Sequence, residues 1–228
     1  MNSKIKLTKK SGLALLAICL GMVISLTACG DKGSSSGDKD SGNQVKSLVN
    51  KAGDNIETRY KTPEGYTRVK LAKGSFGEFL RHEKLKKYGE KSYYYNGKVK
   101  PSEGVYDSVF DIDLEGKNLL HCADACFKFR GDYLYQTGQY DKIKFNFVSA
   151  GLADFSKYTR GYRVDPETGQ YFLMAEPDKS EEVYKKFMNV VYGYCGTLSL
   201  VKDTHGVSID DMQIGAVSYT HLRAHETD

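Results

Sequence analysis

The chain has 228 residues, of which 40% are hydrophobic and 27% charged, so it can bury a core, and intrinsic disorder of the whole chain is excluded. The formal net charge of +4 counts the residues at both ends of the chain, and the sequence of these ends is not typical of a folded domain. Without residues 1–28 and 216–228, 28 basic and 27 acidic side chains remain, a net charge of +1. Such a near-neutral domain gives no electrostatic argument for a nucleic acid partner.

The first 28 residues have the three parts of a bacterial secretion signal. A basic stretch over 4–10 precedes an apolar run over 13–26, which is shorter than the roughly 20 residues of a membrane-spanning helix. The run ends in Leu-Thr-Ala-Cys at 26–29, which resembles the lipobox of bacterial lipoproteins. We therefore predict cleavage before Cys29, lipidation of its thiol, and anchoring of the mature protein at the extracytoplasmic face of the cell membrane.

Residues 29–44 are predicted to be a lipidated cysteine followed by a flexible tether. The stretch after Cys29 contains no apolar side chain, so it has nothing to bury against a core. The predicted domain begins at residue 45.

The C-terminal segment 216–228 is predicted to be an artefact. The eleven residues from Val217 to Thr227 are identical to a translated transposase sequencing adapter. We therefore expect the natural coding sequence to be interrupted after Gly215, which makes residues 45–215 an incomplete domain.

Hydrophobic periodicity predicts a single α+β domain in which a mixed or antiparallel sheet packs against several helices. In chain order, the predicted elements are a helix over 75–87, a hairpin over 93–99, a strand over 107–114, a helix over 118–136, a strand over 142–148 and a helix over 180–194. No internal repeat is visible.

Three of these elements carry more detailed predictions. The hairpin is predicted to turn at Asn96-Gly97 in a type I′ turn, because both residues tolerate positive φ. Alternation in the strand over 142–148 places three apolar residues on one face, namely Ile143, Phe145 and Phe147. The last helix is predicted to bury Val183, Phe187, Val190, Val191 and Tyr194.

The helix over 118–136 contains the candidate nucleophile. With Asn118 as its N-cap, Cys122 falls in the first turn, where the helix dipole and free N–H groups lower the pKa of a thiol. Asp124 is expected on the polar face and Cys126 on the apolar face. The alternative is that Cys122 and Cys126 are simply small core residues four positions apart.

The remaining cysteine chemistry is limited. Cys122, Cys126 and Cys195 are the only cysteines after removal of the signal and the lipidated residue, so at least one thiol is unpaired. Two thiols without nearby His or acidic partners fall short of the four ligands of a zinc site. No metal and no cofactor are predicted. His82 and His205 are expected to be solvated surface residues.

The segments 107–147, 156–164 and 191–200 resemble a family of uncharacterised bacterial lipoproteins and secreted proteins, number 4846 among the domains of unknown function. The densest motif is Cys122-Ala123-Asp124-Ala125, followed by Arg130, Tyr133, Leu134 and Tyr135. The resemblance covers most of residues 55–215. In the family, an Asp stands where this chain has Ala216, and a strand, a Gly-rich loop and a Gly-His pair opening a second strand follow.

Complete members of the family resemble papain-like cell-wall cysteine hydrolases, and this resemblance implies a papain-like fold that is truncated here before its last strands. It also implies a mechanism in which the Cys122 thiolate attacks an amide or ester bond of peptidoglycan or another envelope polymer, assisted by a His beyond Gly215. This copy would then be inactive. The comparison rests on analogy between folds.

The competing hypothesis is a non-catalytic lipoprotein that binds carbohydrate or peptide in the envelope. This hypothesis rests on the high tyrosine content, since 16 tyrosines lie between residues 29 and 215. An exposed tyrosine ring can stack on a sugar or a peptide. For the run 93–95 and for the pair Tyr133 and Tyr135, ordinary half-buried packing is the simpler expectation.

Overall fold

The computed structural model describes residues 48–102 and 104–217. The chain divides into two units, Met1–Gln44 and Val45–Asp228, and all described residues belong to the second. The predicted signal, the lipidation of Cys29, the tether and all but two residues of the predicted adapter tail lie outside the described residues. Among the described residues, no helix combines the length and the apolar character that a membrane crossing requires.

The described residues form a mixed α+β structure. Its helices are α1 (Ile56–Arg59), α2 (Phe76–His82), α3 (Asp124–Gln136), α4 (Phe155–Tyr158), α5 (Glu181–Tyr194) and α6 (Thr197–Asp203), with 3-10 turns at Tyr140–Lys142 and Ile209–Asp211. Its strands are β1 (Lys144–Asn146), β2 (Leu152–Asp154), β3 (Tyr162–Val164) and β4 (Tyr171–Leu173). The α+β class is confirmed, but the strands form two separate antiparallel pairs, β1–β2 and β3–β4, rather than one sheet.

The main core lies where α3 and α5 pack together against α4 and β1. Ser180 begins α5 by accepting a hydrogen bond from the N–H of Val183, and the predicted inner residues Val183, Phe187 and Val191 are buried. Tyr194 is predicted to be buried but is 46% exposed, because α5 ends at this residue. Among the described aromatic residues, its ring contacts only that of Phe147, in an edge-on arrangement.

The β1 strand confirms the predicted alternation, because Ile143, Phe145 and Phe147 are all buried. The strand itself is short, and its outer edge is covered by α6. The N–H of Asn146 points away from β2 and donates to the Asp203 carboxylate at 3.1 Å. Lys202 Nζ donates to the main-chain oxygens of Phe147 and Val148.

The α2 helix begins after Ser75, in agreement with the predicted start, but ends at His82 rather than at residue 87. The chain leaves the helix because the N–H of Leu85 bonds the oxygen of Asp54 at 2.7 Å and that of Lys86 bonds the oxygen of Val109 at 2.8 Å. The predicted strand over 107–114 is wrong. In its place the structure has one isolated bridge, between Leu85 and Phe110, followed by turns.

The predicted hairpin over 93–99 forms, with Tyr93 opposite Val99, but its turn is not type I′. The N–H of Gly97 bonds the oxygen of Tyr94, and the N–H of Tyr94 bonds the oxygen of Lys98. Gly97 has a φ of 78°, whereas no positive φ occurs at Asn96. This is a three-residue loop in which a type I turn is followed by a glycine in the left-handed region.

The segment around α1 is held by a buried guanidinium group. The Arg59 side chain is 1% exposed and donates to the oxygen of Gly53 at 2.7 Å, to Oγ of Ser108 at 2.9 Å and to the oxygen of Lys86 at 2.8 Å. These partners come from three stretches of chain. Arg59 therefore joins the N-terminal part of the described domain to the loops on either side of the hairpin.

Candidate functional site

The predicted nucleophile lies outside α3. The helix begins at Asp124 with Ala123 as its cap, so Cys122 precedes it by two residues, and the predictions of an Asn118 cap and of Cys122 in the first turn are wrong. Leu120, with a φ of 65°, turns the chain just before this point. The Asp124 carboxylate then accepts from the N–H of His121 at 2.7 Å. Cys122 is exposed.

The buried face of α3 also differs from the prediction. Asp124 is 2% exposed and shares the buried side with Phe127, Gly131 and Leu134, at helical spacing. Its carboxylate is buried because it closes the turn that precedes the helix. Tyr133 and Tyr135 are half-buried, as expected: Tyr133 lies against the α2 rings of Phe76 and Phe79.

The three cysteines differ in accessibility, and burial raises the pKa of two of them, Cys126 and Cys195. Cys126 is half-buried, and its pKa is raised mainly by burial, with smaller contributions from Cys122 and Asp124. Cys195 is buried, and burial raises its pKa to about 12. Of the three, only Cys122 is exposed to a reagent or a substrate.

No histidine in the part of the chain that the structure describes is hydrogen-bonded to Cys122. His82 contacts Glu57 at 2.8 Å between Nε2 and Oε2, and His205 is an exposed residue after α6. Within residues 48–102 and 104–217, no group of three or more His, Cys, Asp or Glu side chains could hold a metal ion.

A cavity of about 400 Å³ lies between the segment 111–120, α3 and α5. Five carboxylates and three lysines line it, together with polar and aromatic side chains from the two helices, namely Tyr135, Gln136, Tyr184, Asn189 and Tyr192. Cys122 is not among the lining residues, although the wall residue Leu120 lies only two positions before it. The sequence patterns did not predict this cavity. The one feature of the sequence that indicates it is the set of acidic residues within the predicted strand over 107–114.

The inner wall of the cavity is a hydrogen-bonded network on Asp132. Lys128 Nζ lies 2.7 Å from Oδ2 of Asp132, and the Tyr184 hydroxyl donates to Oδ1 at 2.8 Å. Burial and the Asp132 charge raise the pKa of Tyr184 far above its usual value, so its hydroxyl remains a donor. The Tyr135 ring stacks on Tyr184 with centroids 4.3 Å apart.

The outer wall carries a chain of ion pairs. Lys117 Nζ lies 2.6 Å from Oε2 of Glu115, and Lys185 Nζ lies 3.8 Å from Glu115 and 2.9 Å from Glu181. The hydrogen bond from Lys117 lowers the pKa of Glu115, and that from Lys185 to Glu181 raises the pKa of Lys185. Both shifts favour the ionised forms, the Glu115 carboxylate and the Lys185 ammonium group.

The wall of this cavity also contains backbone strain. Among the described residues, Glu115 and Leu120, at φ 49° and 65°, are the only residues other than glycine with positive φ, and both line the cavity. A leucine is rarely found in this region of backbone space. Each such residue costs about 1–3 kcal/mol and persists only where the surroundings enforce it, typically at ligand sites.

Residues 56–225 match a protein family described as Domain of unknown function (4846). The chain belongs to this family. The matched range contains α1–α6, the cavity and Cys122, and it also includes residues 216–225 of the segment that we predict to be adapter-derived, an origin that stays a prediction. Comparison with curated proteins finds no match. Comparison with solved structures finds none either, so no papain-like structure supports the fold that the resemblance implies.

Proposed function

We propose that this family member is a lipid-anchored protein of the extracytoplasmic face that binds a small polar ligand in the cavity between the segment 111–120, α3 and α5. The ligand class is a sugar or short peptide unit of a cell-envelope polymer. The observation that carries the proposal is that two residues with strained backbone, Glu115 and Leu120, both line this cavity. Its volume of about 400 Å³ falls in the range of small-molecule sites.

The chemistry of the walls suits an uncharged or zwitterionic polar ligand. Glu115 and Glu181 on the outer wall are paired with lysines, and the five carboxylates against three lysines in the whole lining disfavour a ligand of net negative charge. The amides of Gln136 and Asn189 both donate and accept hydrogen bonds, as sugar hydroxyls and peptide groups require. Tyr192 adds an aromatic surface on α5.

We expect the purified chain to be stabilised by N,N′-diacetylchitobiose or by D-alanyl-D-alanine. Because a ligand that binds only the folded state stabilises it in proportion to occupancy, a concentration of 100 times Kd adds about 2.7 kcal/mol and raises Tm by several degrees. Thermal unfolding with each probe measures this effect. In the variant Asn189→Phe, the larger ring occupies the cavity, and the rise in Tm should disappear.

The matched control is Lys186→Phe. Lys186 lies on the same helix but is exposed outside the cavity, so this variant adds the same ring and should keep the ligand-induced rise. The proposal is wrong if neither probe raises Tm of the parent chain, or if Asn189→Phe responds as strongly as Lys186→Phe.

A second candidate function is the cysteine hydrolase, and the accessibility of Cys122 favours it. In this mechanism the Cys122 thiolate attacks a carbonyl carbon, the amine leaves with a proton from a general acid, and water hydrolyses the resulting thioester. Cys122 follows the strained Leu120 by two residues, which places the thiol close in sequence to the cavity wall. This candidate requires a general base from outside the described residues.

If Cys122 is the nucleophile of a hydrolase, it should react with iodoacetamide at pH 7 about ten times faster than N-acetylcysteine, because a catalytic cysteine reacts as the thiolate. Peptide-resolved mass spectrometry measures the rate at each cysteine. Cys126 and Cys195 should react more slowly than N-acetylcysteine, because burial raises the pKa of both.

N-acetylcysteine is the essential reference here, because exposure alone would already make Cys122 the fastest of the three. A rate at Cys122 equal to or below that of N-acetylcysteine would count against the hydrolase and leave the binding function in place. The unfolded chain in urea, in which all three thiols are accessible, provides a second reference.

A further inference from the structure

The segment 84–100 is the most basic stretch of the domain. It contains six lysines and one acidic residue, Glu90, and therefore carries a charge of +5. The rest of residues 29–215 then has 22 basic and 26 acidic side chains, a net charge of −4. The near-neutral total thus conceals a strong asymmetry between this segment and the rest of the domain.

The charges of this segment are accessible. Lys86 is half-buried and lies 3.5 Å from Glu90, whereas the other five lysines are exposed, namely Lys84, Lys87, Lys91, Lys98 and Lys100. Outside the segment, the Asp107 carboxylate lies 3.4 Å from the Tyr88 hydroxyl. Exposed lysines at this density on so short a stretch form a cationic surface.

The same segment exposes aromatic rings on its hairpin. Tyr93, Tyr94 and Tyr95 are 38%, 46% and 41% exposed, which contradicts the expectation of half-buried packing. Every residue from 93 to 100 is exposed, so both faces of the hairpin are in contact with water. Burial in a core therefore does not explain three consecutive tyrosines at this position.

Lysines and tyrosines are interleaved in space as well as in sequence. Lys86 Nζ lies 5.4 Å from the centroid of the Tyr93 ring, and Lys100 Nζ lies 5.3 Å from that of Tyr94. Exposed cation–π contacts contribute only about 0.5–1 kcal/mol, so the contact with Tyr94 does not prevent the exposed Lys100 from binding an anion. The surface therefore presents positive charge and aromatic ring faces side by side.

We infer that the segment 84–100 binds a linear anionic polysaccharide, with its lysines on the acidic groups and its tyrosine rings on the sugar faces. A bilayer surface fits less well, because interfacial binding needs an apolar wedge, and the hairpin exposes only Val99 as an aliphatic side chain. Single-stranded nucleic acid uses similar chemistry. The choice of polysaccharide over nucleic acid rests on the extracytoplasmic location in the proposed function, and the inference does not depend on the cavity.

The test is binding of the full chain, in nonionic detergent, to polygalacturonate, with neutral dextran as the uncharged probe. Replacing Lys87, Lys91, Lys98 and Lys100 by Gln should weaken binding about 10-fold or more and reduce its dependence on salt, because fewer counterions are released. Replacing four exposed lysines elsewhere, Lys61, Lys73, Lys142 and Lys179, by Gln removes the same charge and should change the affinity less than about 2-fold.

The tyrosines are tested separately. Changing Tyr94 and Tyr95 to Ser should weaken binding about 10-fold without altering the salt dependence, whereas changing both to Phe should preserve it, since the ring face remains. Equal weakening by the two lysine sets overturns the inference. So does tighter binding to phosphatidylserine vesicles or to single-stranded oligothymidine than to polygalacturonate. Asn189→Phe should bind polygalacturonate normally, which separates this surface from the cavity.

Discussion

Replacing Gly161 by alanine is expected to lower the free energy of unfolding by about 3 kcal/mol or more. Gly161 has a φ of 91°, and a methyl group there would overlap the main-chain oxygen of Ala175 and lie 2.9 Å from its carbon. The overlap cannot be relieved by a side-chain rotation, because the oxygen of Gly161 accepts from the N–H groups of Met174 and Ala175 and fixes the two chains together. Urea unfolding measures the loss.

The matched control is Gly193→Ala in α5. Gly193 has no positive φ, and a Cβ there meets no atom within 4 Å, so alanine should instead stabilise the helix by about 0.5 kcal/mol. The same substitution thus has opposite signs at the two sites. If both variants unfold at the same urea concentration, the close approach of Gly161 to Ala175 is not a feature of the folded protein.

Replacing Arg59 by methionine is expected to cost about 3 kcal/mol. Methionine retains much of the apolar stem but removes three donors, and the oxygens of Gly53 and Lys86 lose their charged partner in a buried site. Because Arg59 joins separate stretches of chain, this loss should also accelerate hydrogen exchange at the N–H groups of Leu85 and Lys86.

Arg160→Met is the comparison for this variant. Arg160 is exposed and lies two residues after the end of α4, and surface substitutions of this kind usually change stability by less than about 0.5 kcal/mol. An Arg59→Met chain as stable as Arg160→Met would show that the buried guanidinium contributes nothing net. Exchange protection that is lost only in Arg59→Met would support its role in joining the segments.

The elements that sequence patterns predicted well are those whose stability is local or whose burial is periodic. The α5 helix has a side-chain cap at Ser180 and an apolar stripe at helical spacing, and both are present in the structure. The strand around Phe145 alternates because one face meets the core, and burial follows that alternation. The start of α2 after Ser75 likewise agrees with the predicted start of that helix.

The predictions failed where contacts between distant segments decide the conformation. The end of α2 depends on hydrogen bonds from Leu85 and Lys86 to residues about 30 and 23 positions away, which no local pattern records. The start of α3 depends on the positive φ of Leu120, a conformation that sequence rules assign to glycine. Because of this one unusual dihedral angle, the sequence pattern placed Cys122 inside the helix and did not predict the cavity wall.

The covering of β1 by α6 bears on how the protein behaves at high concentration. An uncovered strand edge presents free N–H and C=O groups on which another chain can add a strand. Here the Asp203 carboxylate occupies the outward N–H of Asn146, and Lys202 occupies the oxygens of Phe147 and Val148. Two charged side chains at the end of one short helix therefore protect the outer edge of β1 against intermolecular β-aggregation.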